Sequence, residues 1–127
     1  LKGAPIEDFF IQVFMSSIGG AYYINEPMCV YRRNALGSWT ESQKNVDKKL
    51  NYAYSMVSAI NVFINFIDNE SSNRHLSKVN LKYATTYIKL HSGRFQQLKA
   101  FIKLYKLCNQ NNKLTFFFEG LRILIRH

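Results

Sequence analysis

Acidic side chains are scarce in this chain of 127 residues: 8 Asp and Glu stand against 17 Lys and Arg, a formal net charge of +9 at neutral pH. That balance argues against a cationic partner and points to an anionic one, such as a nucleic acid, a phospholipid headgroup or a phosphorylated substrate. Long apolar runs are also missing, and none approaches the roughly 20 residues that a membrane-spanning helix requires. The opening LKGAPIED has neither the basic region nor the apolar core of a secretion signal. It also has no initiator Met, which reads as a segment taken from a longer protein, one domain or a piece of one. The two cysteines, Cys29 and Cys108, are far apart and show no metal-ligand spacing. A reduced pair in a cytoplasmic protein is the first expectation, and spacing alone leaves a disulfide open. His75 and His91 have no neighbour at zinc-ligand spacing and read as ordinary surface or helix-end residues. No repeat period suggests a solenoid.

What is present can build a core. Hydrophobic residues make up 47% and aromatics 15% of the chain, more than a disordered tail carries. The charge is unevenly placed. Residues 1–41 hold three basic and four acidic side chains, a sum of −1, so the rest of the chain carries +10. Such an asymmetry suggests two functional parts, with the basic one facing an anionic surface.

The periodicity predicts a helix over residues 6–18, stopped by Gly19-Gly20. AYYI (21–24) and MCVYRR (28–33) are rich in β-formers and predict two short strands, interrupted at Pro27. After the loop ALGSW (35–39), Thr40-Glu41-Ser42-Gln43 fits a capping box. It leads into a helix whose apolar seam runs through Val46, Leu50, Ala53, Val57, Ile60, Ile64 and Ile67 in steps of three and four. A break at 68–72 precedes a helix over 75–91, with Leu76, Val79, Tyr83, Tyr87 and Leu90 on one face. A further helix over 94–108 places Phe95, Leu98, Ile102 and Tyr105 on an apolar stripe opposite Lys99, Lys103 and Lys106. NQNN (109–112) is a turn, and KLTFFFEGLRILIRH forms a last helix weakened by Gly120. The expected fold is mainly α with a short two-strand β element: the end of an α/β domain over 1–40, then a basic helical bundle over 41–127.

Glu7 and Asp8 open the first helix. Carboxylates are common in first turns because they complement the helix dipole, so the two residues alone favour a structural role. Downstream of them stand, in order, GG (19–20), AYYINEPMCVYRR (21–33) and GSWT (37–40). The whole resembles the C-terminal part of the catalytic domain of a family-2, inverting glycosyltransferase of the GT-A fold. The resemblance covers about the first 40 residues, and it is the order and spacing of its elements that make it specific.

The resemblance implies that Asp8, with Glu7 beside it, is the general base that deprotonates an acceptor hydroxyl during direct displacement at the anomeric carbon of a nucleotide-sugar. A sugar hydroxyl is a poor nucleophile, which is why a carboxylate within hydrogen-bond reach is needed. Tyr31-Arg32 matches the family's Tyr-Arg pair, and Arg32 and Arg33 could neutralise a diphosphate leaving group. As a bare sequence feature, the two arginines read equally well as a solvated pair. Asn34 stands where members often carry a His; an amide can donate to a phosphate oxygen but is a poor ligand for a hard cation. Trp39 could stack on an acceptor sugar, or equally pack its loop against the bundle. The nucleotide-binding half is missing, and so is the Asp-x-Asp motif that holds Mg or Mn on the diphosphate. The resemblance therefore implies a C-terminal fragment, inactive alone, of an enzyme in surface polysaccharide synthesis. Its partners would be a nucleotide-sugar donor and a glycan or lipid-linked acceptor, and its place the cytoplasm or the inner face of the membrane.

Rival readings remain for the basic half. The helix of Phe116, Phe117, Phe118, Leu121, Leu124 and Ile125 could meet an anionic membrane or a partner, with core packing the first expectation. A helical nucleic-acid-binding module fits the charge, but the lysines are spread over several helices and no binding motif is present. An interaction domain without catalysis, dimerising through the 46–67 seam, is the third reading.

Overall fold

The computed structural model describes residues 5, 7–20, 22–29, 38–42, 44–108 and 113–125. Among these residues the chain is mainly helical, with helices α1 (Glu7–Gly19), α2 (Trp39–Ser42), α3 (Val46–Ile64), α4 (Glu70–Lys89), α5 (Arg94–Leu107) and α6 (Lys113–Ile125). α1 stops as its glycines predict. The Gly20 N–H reaches the Ser16 carbonyl at 3.0 Å with a φ of 77°, a left-handed closing residue that an L side chain rarely adopts.

Among the described residues the two-strand β element is not there: residues 22–25 and 27–29 are irregular, and residue 21 lies outside them. Tyr22 is 93% and Tyr23 81% exposed, and no neighbouring strand among the described residues satisfies this stretch. β propensity expresses how well a residue fits a pleated, half-buried surface, and an isolated pair of strands is marginal in water. The remainder of the second predicted strand, 30–33, lies outside the described residues.

The caps also differ from expectation. Ser38 accepts from the Glu41 N–H at 3.3 Å and caps the short helix α2, while Gln43 of the expected capping box lies outside the described residues. The long helix starts later, where the Asn45 side chain accepts from the Lys48 N–H at 3.1 Å. Likewise, α4 begins inside the predicted break, because Asn69 accepts from the Ser72 N–H at 2.9 Å. The connection closes when the Asn73 side-chain amide donates to the Ile67 carbonyl at 2.8 Å.

α3 and α4 form a helical hairpin, and α3 is buried along two lines. Ala53 and Val57 face a core shared with Ala84 and Ile88 of α4, Phe101 and Leu104 of α5, and Phe116 and Ile123 of α6. Met56, Ile60 and Phe63 face a second core completed by Leu76 of α4 and Phe10 of α1. The apolar seam is thus consumed inside the chain from Ala53 to Ile67, which removes it as a surface for dimerisation. One polar network crosses this interior. The Asn80 amide donates to the Asn61 side-chain oxygen at 2.6 Å, and the Asn61 amide donates to the Leu107 carbonyl at 2.9 Å. It ties the end of α5 to the hairpin, as buried amides require partners.

α5 corrects the expected stripe. Its buried residues are Gln97, Ala100, Phe101 and Leu104, while Phe95, Leu98 and Ile102 lie on the exposed side together with the lysines. Two apolar faces compete in this sequence. Phe101 wins because its ring stacks on Phe116 at 5.4 Å, and Gln97 can donate to the His91 carbonyl at 3.1 Å.

Candidate functional site

The first turn of α1 is anchored by Phe10, which is fully buried and meets Phe63 edge to face at 5.1 Å. This leaves Asp8, two residues earlier, exposed at the helix start. Tyr52 of α3 packs against the same core as Phe9 and Phe10, and the Asp8 charge reaches its phenol as the smallest of the influences on it. The Tyr52 ring is met edge-on by Trp39 of α2 at 5.2 Å and by Tyr83 of α4 at 5.7 Å. The two phenol oxygens are 3.3 Å apart. Four elements therefore converge to set a carboxylate, two phenols and a half-exposed indole at one corner of the bundle.

Burial is the chief reason that the Tyr52 phenol is raised well above its ordinary value of 10.0. The hydrogen bond and charge interaction with Tyr83 come next, and the negative charge of Asp8 adds to them. Above pH 10 the native chain therefore holds a proton that the unfolded chain has released. The stability this confers is whole below the unfolded value of about 10 and is lost as the pH rises through the folded one. Urea unfolding followed between about pH 9 and 11 should show a falling midpoint in the wild type. The fall should be shallower in Tyr52→Phe; identical slopes would remove Tyr52 from the account.

Of the residues named from sequence, Trp39 packs on Tyr52, and Asp8 acts on the same phenol only through its charge. Glu7 is the first residue of α1. Arg32, Arg33 and Asn34 lie outside the described residues. Tyr52 and Tyr83 do not stand out in the sequence as site residues: Tyr83 reads as one more apolar position of its helix, and Tyr52 falls off the seam altogether. The available signal is chemical, since a half-buried phenol needs a polar partner.

Other places in the bundle offer less chemistry. A cavity of about 170 Å³ lies among α3, α4, α5 and α6, walled by Val57, Leu81, Leu104 and Phe116 with Asn80 and Cys108. The Asn80 side-chain oxygen is buried without a hydrogen-bond partner, but it is closed off from solvent and so offers no accessible acceptor. The Cys108 thiol is pushed up by burial, against an opposing effect of Lys113, and a protonated thiol is a weak nucleophile. Both cysteines are free, Cys29 exposed and Cys108 half-buried. His91 packs on Tyr87 at 4.8 Å, and its Nδ1 donates to the Tyr87 carbonyl at 2.9 Å, which makes it a helix-end residue. Among the described residues no group of three or more His, Cys, Asp or Glu could hold a metal ion. None of the described helices is long and apolar enough to cross a membrane.

No protein-family model matches the chain, and no curated protein or solved structure does either.

Proposed function

We propose that this chain is the acceptor-side, C-terminal segment of an inverting glycosyltransferase, with Asp8 as its general base. The observation that carries the reading is the corner where Trp39 packs edge-on against Tyr52, a phenol that the Asp8 charge also reaches. Its three groups have the chemistry that a sugar acceptor needs. An exposed carboxylate can take a hydroxyl proton, a phenol kept in its protonated form can donate to a sugar oxygen, and an indole can cover an apolar sugar face. In the displacement the acceptor oxygen bonds to the anomeric carbon, the bond from that carbon to the phosphate oxygen breaks, Asp8 receives the proton, and a nucleoside diphosphate leaves. The nucleotide and metal sites of such an enzyme belong to its other half.

The surface of α1 supports the same reading. Only its Phe9, Phe10 and Val13 side meets the bundle, whereas Ile11, Phe14, Met15 and Ile18 are exposed. A helix that is apolar on both sides is normally covered on both, and the preceding part of a catalytic domain would supply that cover. In the full-length protein, nucleoside diphosphate release from a panel of nucleotide-sugars tests the assignment. Trp39→Ala should raise the acceptor KM about tenfold, the loss of one stacking contact worth about 1.4 kcal/mol, with the donor KM unchanged. Equal effects on both substrates would place Trp39 away from the acceptor.

A further inference from the structure

The largest feature that the proposed site leaves unused is the outer surface of α5 and α6. In α6, Phe116, Gly120 and Ile123 are buried. The opposite side presents Leu114, Phe118, Leu121 and Ile125, with Leu114 at 70%, Phe118 at 62% and Ile125 at 72% exposure. The neighbouring α5 presents Phe95, Leu98 and Ile102 outward, on the same side as Lys99 and Lys106. Tyr105 and Phe117, 6.3 Å apart between ring centres, join the two exposed faces into one. Lys99 Nζ stays close to this surface, 4.4 Å from the Phe95 ring centre, while Lys103 Nζ lies at its α3 edge, 4.0 Å from the ring centre of Tyr54. Lys113 Nζ sits 6.0 Å from Tyr105. The acid on α6, Glu119, is 3.9 Å from Arg122 and so partly offset by it.

We infer that the joined outer face of α5 and α6 docks on an anionic phospholipid bilayer, with Phe118, Leu121 and Ile125 entering the headgroup–acyl boundary and Lys99, Lys103, Lys106 and Lys113 pairing with lipid phosphates. Two magnitudes decide for this occupant. The first is charge: residues 94–125 hold six basic side chains against one acidic one, a sum of +5, and each basic residue near an anionic surface is worth about a fivefold gain in partitioning. The second is length. The 13 residues of α6 rise about 20 Å, too short to span a bilayer of about 30 Å but long enough to lie in its interface. Lysines pinned over aromatic rings at the edge of an apolar face can keep their charge in water while the rings sink. A second copy of the chain is a poorer occupant, because it would set lysine against lysine.

Vesicle flotation of the 127-residue chain tests the inference without any transfer assay, so it can fail or succeed independently of the glycosyltransferase reading. The chain should float with vesicles containing phosphatidylglycerol at least about tenfold better than with pure phosphatidylcholine, and high salt should weaken the binding. Phe118→Ser combined with Leu121→Ser should lower binding to the anionic vesicles at least about tenfold. Lys103→Glu combined with Lys106→Glu should do the same or more, and all variants should keep the wild-type circular dichroism. Equal binding to both vesicle types would overturn the inference. So would binding that survives both double substitutions, a dimer in sedimentation that Phe118→Ser with Leu121→Ser returns to monomer, or a preference for DNA or RNA over the anionic vesicles.

Discussion

Asp8→Asn in the full-length protein should reduce sugar transfer by about 10² to 10⁴-fold while leaving nucleotide-sugar binding intact. That range is what a positioned general base contributes in a transition state, and an amide of the same shape cannot accept the acceptor proton. The competing view of Asp8 is that it merely complements the dipole of α1. An exposed carboxylate in a first turn is worth only about 0.3–1 kcal/mol, so that view predicts a slightly lower melting temperature and unchanged turnover. The two accounts differ in the observable and by orders of magnitude. Turnover near the wild-type rate would end the assignment of Asp8, whatever the melting temperature does. If instead donor binding is lost along with turnover, the damage lies in the fold rather than in proton transfer. Tyr52→Phe offers a graded control, because it removes the neighbouring hydroxyl without touching the carboxylate.

How much of the fold and of this corner is legible in the sequence depends on whether a signal is local. The seam of α3 and the glycine stop of α1 are readable because periodicity and a left-handed closing residue are properties of a single element. Which face α5 buries is not. Phe95, Leu98 and Ile102 make as good a stripe as Phe101 and Leu104, and the choice is made by Phe116, which is distant in sequence. The described parts of the expected strands, 22–24 and 28–29, are irregular for a related reason: their residues suit a sheet, and a sheet needs neighbours that the described residues do not provide. Of the candidate site, Asp8 and Trp39 can be named because the order and spacing of the motifs around them carry the resemblance. Tyr52 cannot, since its importance comes from Tyr83, 31 positions away, and from Trp39 on the short helix α2.

Gly120 reads from sequence as a weakness in the last helix, and the packing gives it the opposite meaning. A Cβ built there would overlap two atoms of the Phe101 ring, so glycine is what lets α6 approach α5. Phe101 stacks on Phe116 at 5.4 Å and meets Phe117 at 6.2 Å, and its removal should be among the costliest changes to stability. Phe101→Ala should cost about 3–5 kcal/mol in urea unfolding, as for other large aromatics lost from a core. Gly120→Ala pits two effects against each other. Alanine favours the helix by about 0.5–1 kcal/mol, whereas overpacking a filled core costs about 1–3 kcal/mol. With Phe101 present the clash wins, and Gly120→Ala should be destabilising. In the Phe101→Ala background the ring is gone and only the helix preference remains, so the same Gly120→Ala change should become stabilising. That reversal separates close packing from helix propensity, since a glycine retained for any local reason would give the same sign in both backgrounds.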